Sequence, residues 1–372
     1  MRRGAPTGAS TGAPTGAPTG APTGAPTGSL AGTGTSFGVD IGGTKMLGVA
    51  LDVADAVVAE ARVTTPHAAA DPIEPFWGEG GGGPVGEVGR EVADAVAEVV
   101  VALGRETGSS GGSQVPVGVG APGMVDRRGV LRFSPNLQGA AGADILALLA
   151  ARLPGAPLVV ENDANCAALA EHRLGAARGA DHALVVTLGT GIGGGLITGG
   201  RVLVGASGFA GEIGHMVVDP SGPPCPCGRR GCWERYASGG GLGRLAREAA
   251  YAGRLHEVVA LAGGDPELVR GEHVTRAAHE GEPGALGVMG ELGWWVALGL
   301  ANLTAVLDPE RIVLGGGLGE AEEMLLAPTR RAFAHLVEGA GTRPEIEIVA
   351  AALGERAGAV GAAMAARAGG LW

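Results

Sequence analysis

The densest chemistry in the chain lies in one short loop, where His215, Cys225, Cys227 and Cys232 follow the spacing H-x9-C-x-C-x4-C. Four soft or borderline ligands so close together suit a tetrahedral Zn²⁺ with no open position, the pattern of a structural ion rather than a catalytic one. Two other readings compete. A disulfide would need an oxidising compartment and a strained Cys-x-Cys ring; His215 could instead be an ordinary core histidine beside a Cys₃ cluster. Gly228 and Gly231, between the cysteines, favour the ion because they let the chain wrap tightly around it. Glu212 and Glu234 flank the cluster, so an ion that pins the loop also fixes where those carboxylates point. Two more carboxylates stand out by position. Asp40 ends a short apolar run just before Ile41-Gly42-Gly43-Thr44-Lys45, a Gly-Gly turn whose backbone N–H groups can cradle a phosphate or simply reverse the chain. A carboxylate there could hold Mg²⁺ or its waters. Asp163 stands between an apolar run and a helical pattern, and reads either as an N-cap or as a base presented at the carboxyl end of a strand.

The elements that must hold these groups are legible as alternations of apolar runs and glycine turns. Residues 37–40 and 46–51 read as a β-hairpin around the Gly42-Gly43 turn, with a third strand at 57–63. A helix is expected over 85–103, with Val88, Val92, Val96, Val99 and Leu103 on one face. Residues 158–161 form a buried-type strand that stops at Asn162-Asp163, and a helix follows to 174 with Gly175 as its stop signal. Strand 183–188 enters Gly189-Thr190-Gly191-Ile192-Gly193-Gly194-Gly195. This matches G-x-G-x-x-G, but the glycines lead into a second strand rather than a helix, which excludes the dinucleotide-binding reading; no P-loop motif occurs either. Strand 311–314 runs into Gly315-Gly316-Gly317, a third such turn. Three glycine turns after strands, in two βββαβα-like halves, predict a nucleotide clamped between two lobes.

Composition narrows the class. The 372 residues are enough for two domains, and 38 acidic against 27 basic residues give a net charge of −11, which disfavours nucleic acid and anionic membranes as partners. Four cysteines against 72 glycines fit a cytoplasmic, loop-rich enzyme rather than a disulfide scaffold, and Cys166 reads as a small buried hydrophobe. The apolar run 292–307 contains Asn302 and ends at Asp308-Pro309, as a buried helix does. The GAPT repeats at the start lack the apolar stretch of a secretory signal and the large side chains that would order them, so residues 1–35 read as a disordered tail rather than a glycosylated stalk.

Taken together, DIGGTK at 40–45, END at 161–163, GTGIGGG at 189–195, GEIGHM at 211–216, CPCGRRGCWE at 225–234 and GGG at 315–317 resemble the ROK family of sugar kinases and repressors, and within it the bacterial glucokinase group. The resemblance runs from about 37 to 366. It implies an α/β, actin-like (ribonuclease H-like) two-lobed ATPase fold with a zinc-stabilised loop, residues 36–165 plus 355–372 forming a smaller lobe and 166–354 a larger one. It implies ATP with Mg²⁺ as phosphoryl donor, a hexose (glucose first) as acceptor, and a homodimer or higher homo-oligomer. By the same likeness Asp163 is the catalytic base; Asn136, Asn162, Glu212, His215 and Glu234 bind sugar hydroxyls, His215 serving zinc as well. Gly42, Gly43, Thr44, Lys45, Thr190 and Gly191 hold phosphates, and Gly315, Gly316 and Gly317 lie by the adenosine. The repeat tail and the glycine-rich stretch at 78–86 depart from the family pattern, as does Pro226 where a small residue is usual. A repressor would need a basic helix-turn-helix where the GAPT repeats stand. A catalytically dead sugar-binding module is disfavoured by the presence of Asp163.

Overall fold

The computed structural model describes residues 34–66, 86–109, 114–135, 137, 139–318 and 322–371. Asn136, most of the repeat tail and the stretch 67–85 lie outside the described residues. The first sheet contains β1 (Ser36–Ile41), β2 (Lys45–Leu51), β3 (Val57–Thr64), β4 (Val117–Ala121) and, beyond the two-stranded ribbon β5 (Met124–Val125) and β6 (Leu131–Phe133), β7 (Leu158–Asn162). Its order is β3-β2-β1-β4-β7, with β1, β2 and β3 antiparallel and β1, β4 and β7 parallel. The second sheet repeats the same plan: β8 (Ala183–Leu188), β9 (Ile192–Thr198), β10 (Arg201–Val202), β11 (Arg311–Gly315) and β12 (Glu347–Ala350) lie in the order β10-β9-β8-β11-β12, an antiparallel meander followed by two parallel strands. This duplicated sheet is the actin-like arrangement of two α/β lobes. The inner strands are covered on both faces, which is why β4 (VGVGA) and β11 (RIVLG) read as continuous small or apolar runs instead of alternating.

Helices fill the faces. In the first lobe α1 (Glu87–Glu106) presents Val92, Val96, Val99 and Leu103 to the sheet, joined by α2 (Ile145–Arg152). The second lobe packs α4 (Glu234–Ala237), α5 (Gly239–Tyr251), α6 (His256–Leu261), α7 (Gly271–His279), α8 (Pro283–Leu307) and α9 (Glu322–Leu336) around the other core. Helix α8 starts on Pro283 behind the Glu282 cap and ends at Asp308 in a left-handed conformation. It is long and apolar enough to cross a membrane by length and composition, yet 56% of that stretch is buried inside the fold, as expected for a core helix.

Two helices lie between the lobes. Helix α3 (Asp163–Arg173) leaves the end of β7 and leads into the second sheet, and α10 (Ala357–Ala368) returns from β12 to pack on β1, β4 and α3. Because the sheets are duplicates, α3 and α10 occupy equivalent places after the fifth strand of each. The cap of α3 differs from the sequence expectation. Asn162 is the N-cap, its Oδ1 accepting from Asn165 N at 2.9 Å, and Asp163 is the first helical residue. The amide takes the capping role, so the neighbouring carboxylate is not needed as the cap.

Candidate active site

Between the lobes the two glycine hairpins face each other across a cavity of about 330 Å³. It is lined from the first lobe by Gly43 and Thr44 of the β1–β2 turn, from the second by Thr190 and Gly191 of the β8–β9 turn, and by Gly316 after β11. Asn162, Asp163, Glu212, His215 and Glu234 complete the wall. Ten of the residues singled out from the sequence thus meet in one place. Gly42 and Lys45 do not line this cavity. Gly42 closes the turn, its N–H donating to Lys45 O at 3.1 Å, and the Lys45 ammonium is spent on Glu355 at 2.7 Å. A second, larger cavity of about 1400 Å³ opens from the same Gly189-Thr190 turn into the second lobe, between α5 and α7, with Gly317 at its edge. A third, of about 160 Å³, lies behind Asp163 and contains Asp40, Gly315 and Gly316.

Asp163 sits at the mouth of α3, its Oδ1 accepting from Ala164 N at 2.8 Å. Burial pushes its carboxyl up to about 6, against the lowering effect of these helix-start N–H groups. Asp40, on the parallel strand across Gly120, is raised further, to about 8, by burial and then by the charge of Asp163. Neither carries a lysine or arginine partner among the described residues. A cation between or beside them would favour the ionised form of both, and two carboxylates without a basic partner are a donor set and charge that Mg²⁺ and its waters fit. Glu212 is raised to about 7 by burial, then by Asp163 and Glu234, so the carboxylates form one mutually repelling ring around the cavity. Asn162 is more heavily employed than the sequence indicated: besides capping α3, its Nδ2 donates to Gly123 O at 3.0 Å, leaving one N–H for a ligand.

The cysteine loop forms the wall opposite. Ligand atoms of His215, Cys225, Cys227 and Cys232 all lie within 4.8 Å of one another, with Cys225 Sγ to His215 Nδ1 at 3.6 Å and Cys227 Sγ to Cys232 Sγ at 3.5 Å. Zn–S and Zn–N bonds of about 2.3 and 2.0 Å in a tetrahedron place neighbouring ligands about 3.5–3.8 Å apart, so the four donors fit that ion. Imidazole Nδ1 faces the cluster while the ring borders the cavity. The loop is shaped by its own backbone: Val218 N donates to Gly231 O, Trp233 N to Met216 O and Cys225 N to Arg229 O. Gly231 is at φ +64, where a Cβ would sit 1.5 Å from Asp219 O, so no other residue fits there. Trp233, fully buried, donates Nε1–H to Trp295 O at 2.7 Å and bolts the loop to α8. The same rigid segment carries Glu234, whose Oε1 lies 3.1 Å from Cys225 Sγ and 3.5 Å from His215 Nδ1. The cysteine loop and the cavity wall are therefore one unit.

Sequence reasoning missed the furnishings of the larger cavity. Ser238 caps α5, its Oγ accepting from Gly241 N, and Gly239-Gly240 present that helix start to the cavity. The Ser-Gly-Gly-Gly run at 238–241 was the signal that could have located it. Arg247, Arg270 and Arg276 also line the cavity, and nothing in their local sequence marks them.

A cleft between duplicated α/β lobes, lined by two glycine turns and a half-buried carboxylate, is the arrangement of a phosphotransferase of the actin-like class. The sequence profile of the ROK family matches residues 87–368, and the chain belongs to that family. Among its relatives, the glucokinase of Streptomyces coelicolor is 37% identical over 90% of this chain and 98% of its own length, and the glucokinase of Thermotoga maritima 38% identical over 74% and 84%. A crystal structure of a ROK family glucokinase from Streptomyces griseus in complex with glucose and AMPPNP is 37% identical, covers 90% of this chain and 99% of that one, and superposes with a TM-score of 0.75.

Proposed function

We propose that the chain is an ATP-dependent glucokinase that transfers the γ-phosphoryl group of ATP to the 6-hydroxyl of glucose, with Asp163 as general base. The observation that carries this reading is the place of Asp163: an enclosed carboxylate at a helix start, facing a cavity bounded by both glycine turns and by Asn162, Glu212, His215 and Glu234. A ring of amide, imidazole and carboxylates suits a polyol, because each hydroxyl both donates and accepts. With a carboxyl raised to about 6, Asp163 is ionised at neutral pH yet more basic than an exposed aspartate, the tuning a proton acceptor needs. It takes the hydroxyl proton as the sugar oxygen bonds to phosphorus and the bond to the departing ADP oxygen breaks; phosphoryl transfer otherwise asks mainly for positioning and charge stabilisation. Mg²⁺ bound with the nucleotide, within reach of Asp40 and Asp163, would neutralise phosphate charge.

In this reading the glycine turns hold the phosphates, Gly317 and the α5–α7 cavity take the nucleoside, and zinc in the His215–Cys232 cluster is structural, fixing Glu212 and Glu234. The smaller lobe comprises 36–165 with 355–372 and the larger 166–354. The protein acts in the cytoplasm as a homo-oligomer, which light scattering tests. The deciding experiment couples ADP release to a readout with Mg-ATP and glucose, N-acetylmannosamine, N-acetylglucosamine, fructose or allose. Preference for glucose upholds the proposal. Preference for another hexose moves the substrate within the family, and sugar binding without turnover replaces the kinase by a sugar sensor.

A further inference from the structure

The polypeptide crosses between the lobes twice, once through α3 and the loop into β8, and once from β12 into α10. Both crossings end on one side chain. Glu171, only 1% exposed, accepts from Ala176 N at 2.7 Å on the first crossing, and from Ala352 N at 3.1 Å and Leu353 N at 2.8 Å on the second. It has no ion pair among the described residues, so three backbone N–H groups supply the whole stabilisation of a buried carboxylate. The first crossing is tied onward to the second sheet, since Arg311 at the start of β11 donates to Ala176 O at 3.1 Å and Arg178 O at 3.2 Å.

We propose that Glu171 is a positioning residue for phosphoryl transfer, a clasp that joins the two crossings and so sets where Asp163 stands relative to the glycine turn of the opposite lobe. The inference rests on the kinase reading of the cleft. Asp163, Ala167 and Glu171 line the same small cavity and lie at successive turns of one face of α3. Eight residues at about 1.5 Å each put the clasp roughly 12 Å from the base, beyond contact with it. That distance is a lever. A tilt of α3 by about 5° at the clasp displaces Asp163 by about 1 Å, and a misplacement of about that size costs on the order of 10² in rate. A clasp acting this way leaves the sugar's own contacts intact and affects the transfer step.

The test replaces Glu171 by Ala and by Gln in the full chain, with both variants assayed well below their melting temperatures. Expected are a fall in kcat of about 10- to 100-fold for Glu171→Ala, a glucose Kd by calorimetry within about threefold of wild type, and an unmoved acid limb in the pH–rate profile, because Asp163 itself is untouched. Glu171→Gln keeps, in its amide oxygen, the one atom that accepts from both crossings (Ala176 N and Ala352 N) and loses only the acceptor for Leu353 N, so it should recover part of the rate, and it serves alone should the alanine variant not fold. An unchanged kcat in a folded variant overturns the proposal, as does a parallel loss of kcat and glucose affinity that tracks the loss of Tm. Should the wild-type protein phosphorylate no sugar, the kinase reading is what has failed. Small-angle scattering then judges the clasp: a broader inter-lobe distance distribution in Glu171→Ala upholds it, and an unchanged one overturns it.

Discussion

Replacing Asp163 by Asn separates catalysis from folding more sharply than any other change in this site. The substitution is nearly isosteric, and the amide oxygen can keep the 2.8 Å bond from Ala164 N while losing the ability to take a proton. General-base assistance is worth about 10²- to 10⁴-fold, or about 2.7–5.4 kcal/mol at 1.36 kcal/mol per decade, so kcat should fall by that factor with the glucose KM changed little. Stability should move the other way. A carboxyl raised from 3.8 to about 6 opposes folding by about 3 kcal/mol once pH exceeds both values, and the partial opening of Asp163 to the cleft reduces this to about 1–3 kcal/mol. Relief of Asp40, which is held up in part by Asp163, adds to the gain. The sign follows from the folded state binding the extra proton: the gain is full at pH 8, shrinks through pH 6 and vanishes near pH 4. A coupled ADP assay and thermal melts of the same preparations read both effects. Retention of more than a tenth of wild-type kcat would refute the base assignment, and a variant that lost activity and melting temperature together would show the side chain to be structural.

The wild-type pH–rate profile should show an acid limb near pH 6 or below, because the proposed base Asp163 would have to be ionised to accept the proton and a bound cation lowers its affinity for one; activity flat from pH 7 to 5 would contradict this. In the ligand-free protein Asp40, Glu161, Glu212 and Asp163 are all raised, so the folded state holds more protons than the unfolded one and Tm should fall between pH 5.5 and 8, an effect that Mg-ATP flattens. A Tm that rises over that interval would oppose it. Cys225→Ser, or chelation, should release one zinc per chain and abolish turnover with a lowered Tm; full activity in protein shown metal-free by elemental analysis would remove the zinc claim. Gly299→Ala places a methyl 2.0 Å from the Trp233 ring and should destabilise the protein by about 1–3 kcal/mol through overpacking, with a greater loss of glucose affinity than of ATP affinity; equal losses would show that Trp233 does not anchor the loop to α8.

Much of this was readable because the local signals were strong. Strands followed by Gly-Gly turns announced both hairpins, and the ligand spacing of the cysteine loop needed no fold to be recognised. The duplicated sheet order was foreshadowed by the repeated glycine turns. What could not be read is of a different physical kind. Whether Asn162 or Asp163 caps α3 depends on the dihedral angles of two adjacent residues that are both good caps, and composition does not decide between them. Lys45 sits inside a recognisable motif, yet its ammonium is spent on Glu355, 310 residues away, a pairing with no sequence signature. Glu171 looks like an ordinary surface residue of a helix until the segment between β12 and α10 brings the N–H groups of Ala352 and Leu353 onto it.

The duplication also explains why the carboxylates crowd. Each sheet delivers the carboxyl end of its parallel strands to the same cleft, and the helix following the fifth strand of each sheet starts there. In the first lobe that geometry brings Asp40 from β1 beside Asp163 at the head of α3, and Gly358 near the head of α10 closes against Asp40, so that a Cβ there would lie 2.6 Å from its carboxyl carbon. The second lobe contributes Glu212 and Glu234, and their loop can be rigid because its cysteines and Trp233 do not depend on the sugar. An unliganded cleft of this composition is strained by its own charge. The strain is relieved by a divalent cation, a polyol whose hydroxyls donate to the carboxylates, or protons, which is why acid should both stabilise the empty protein and switch it off.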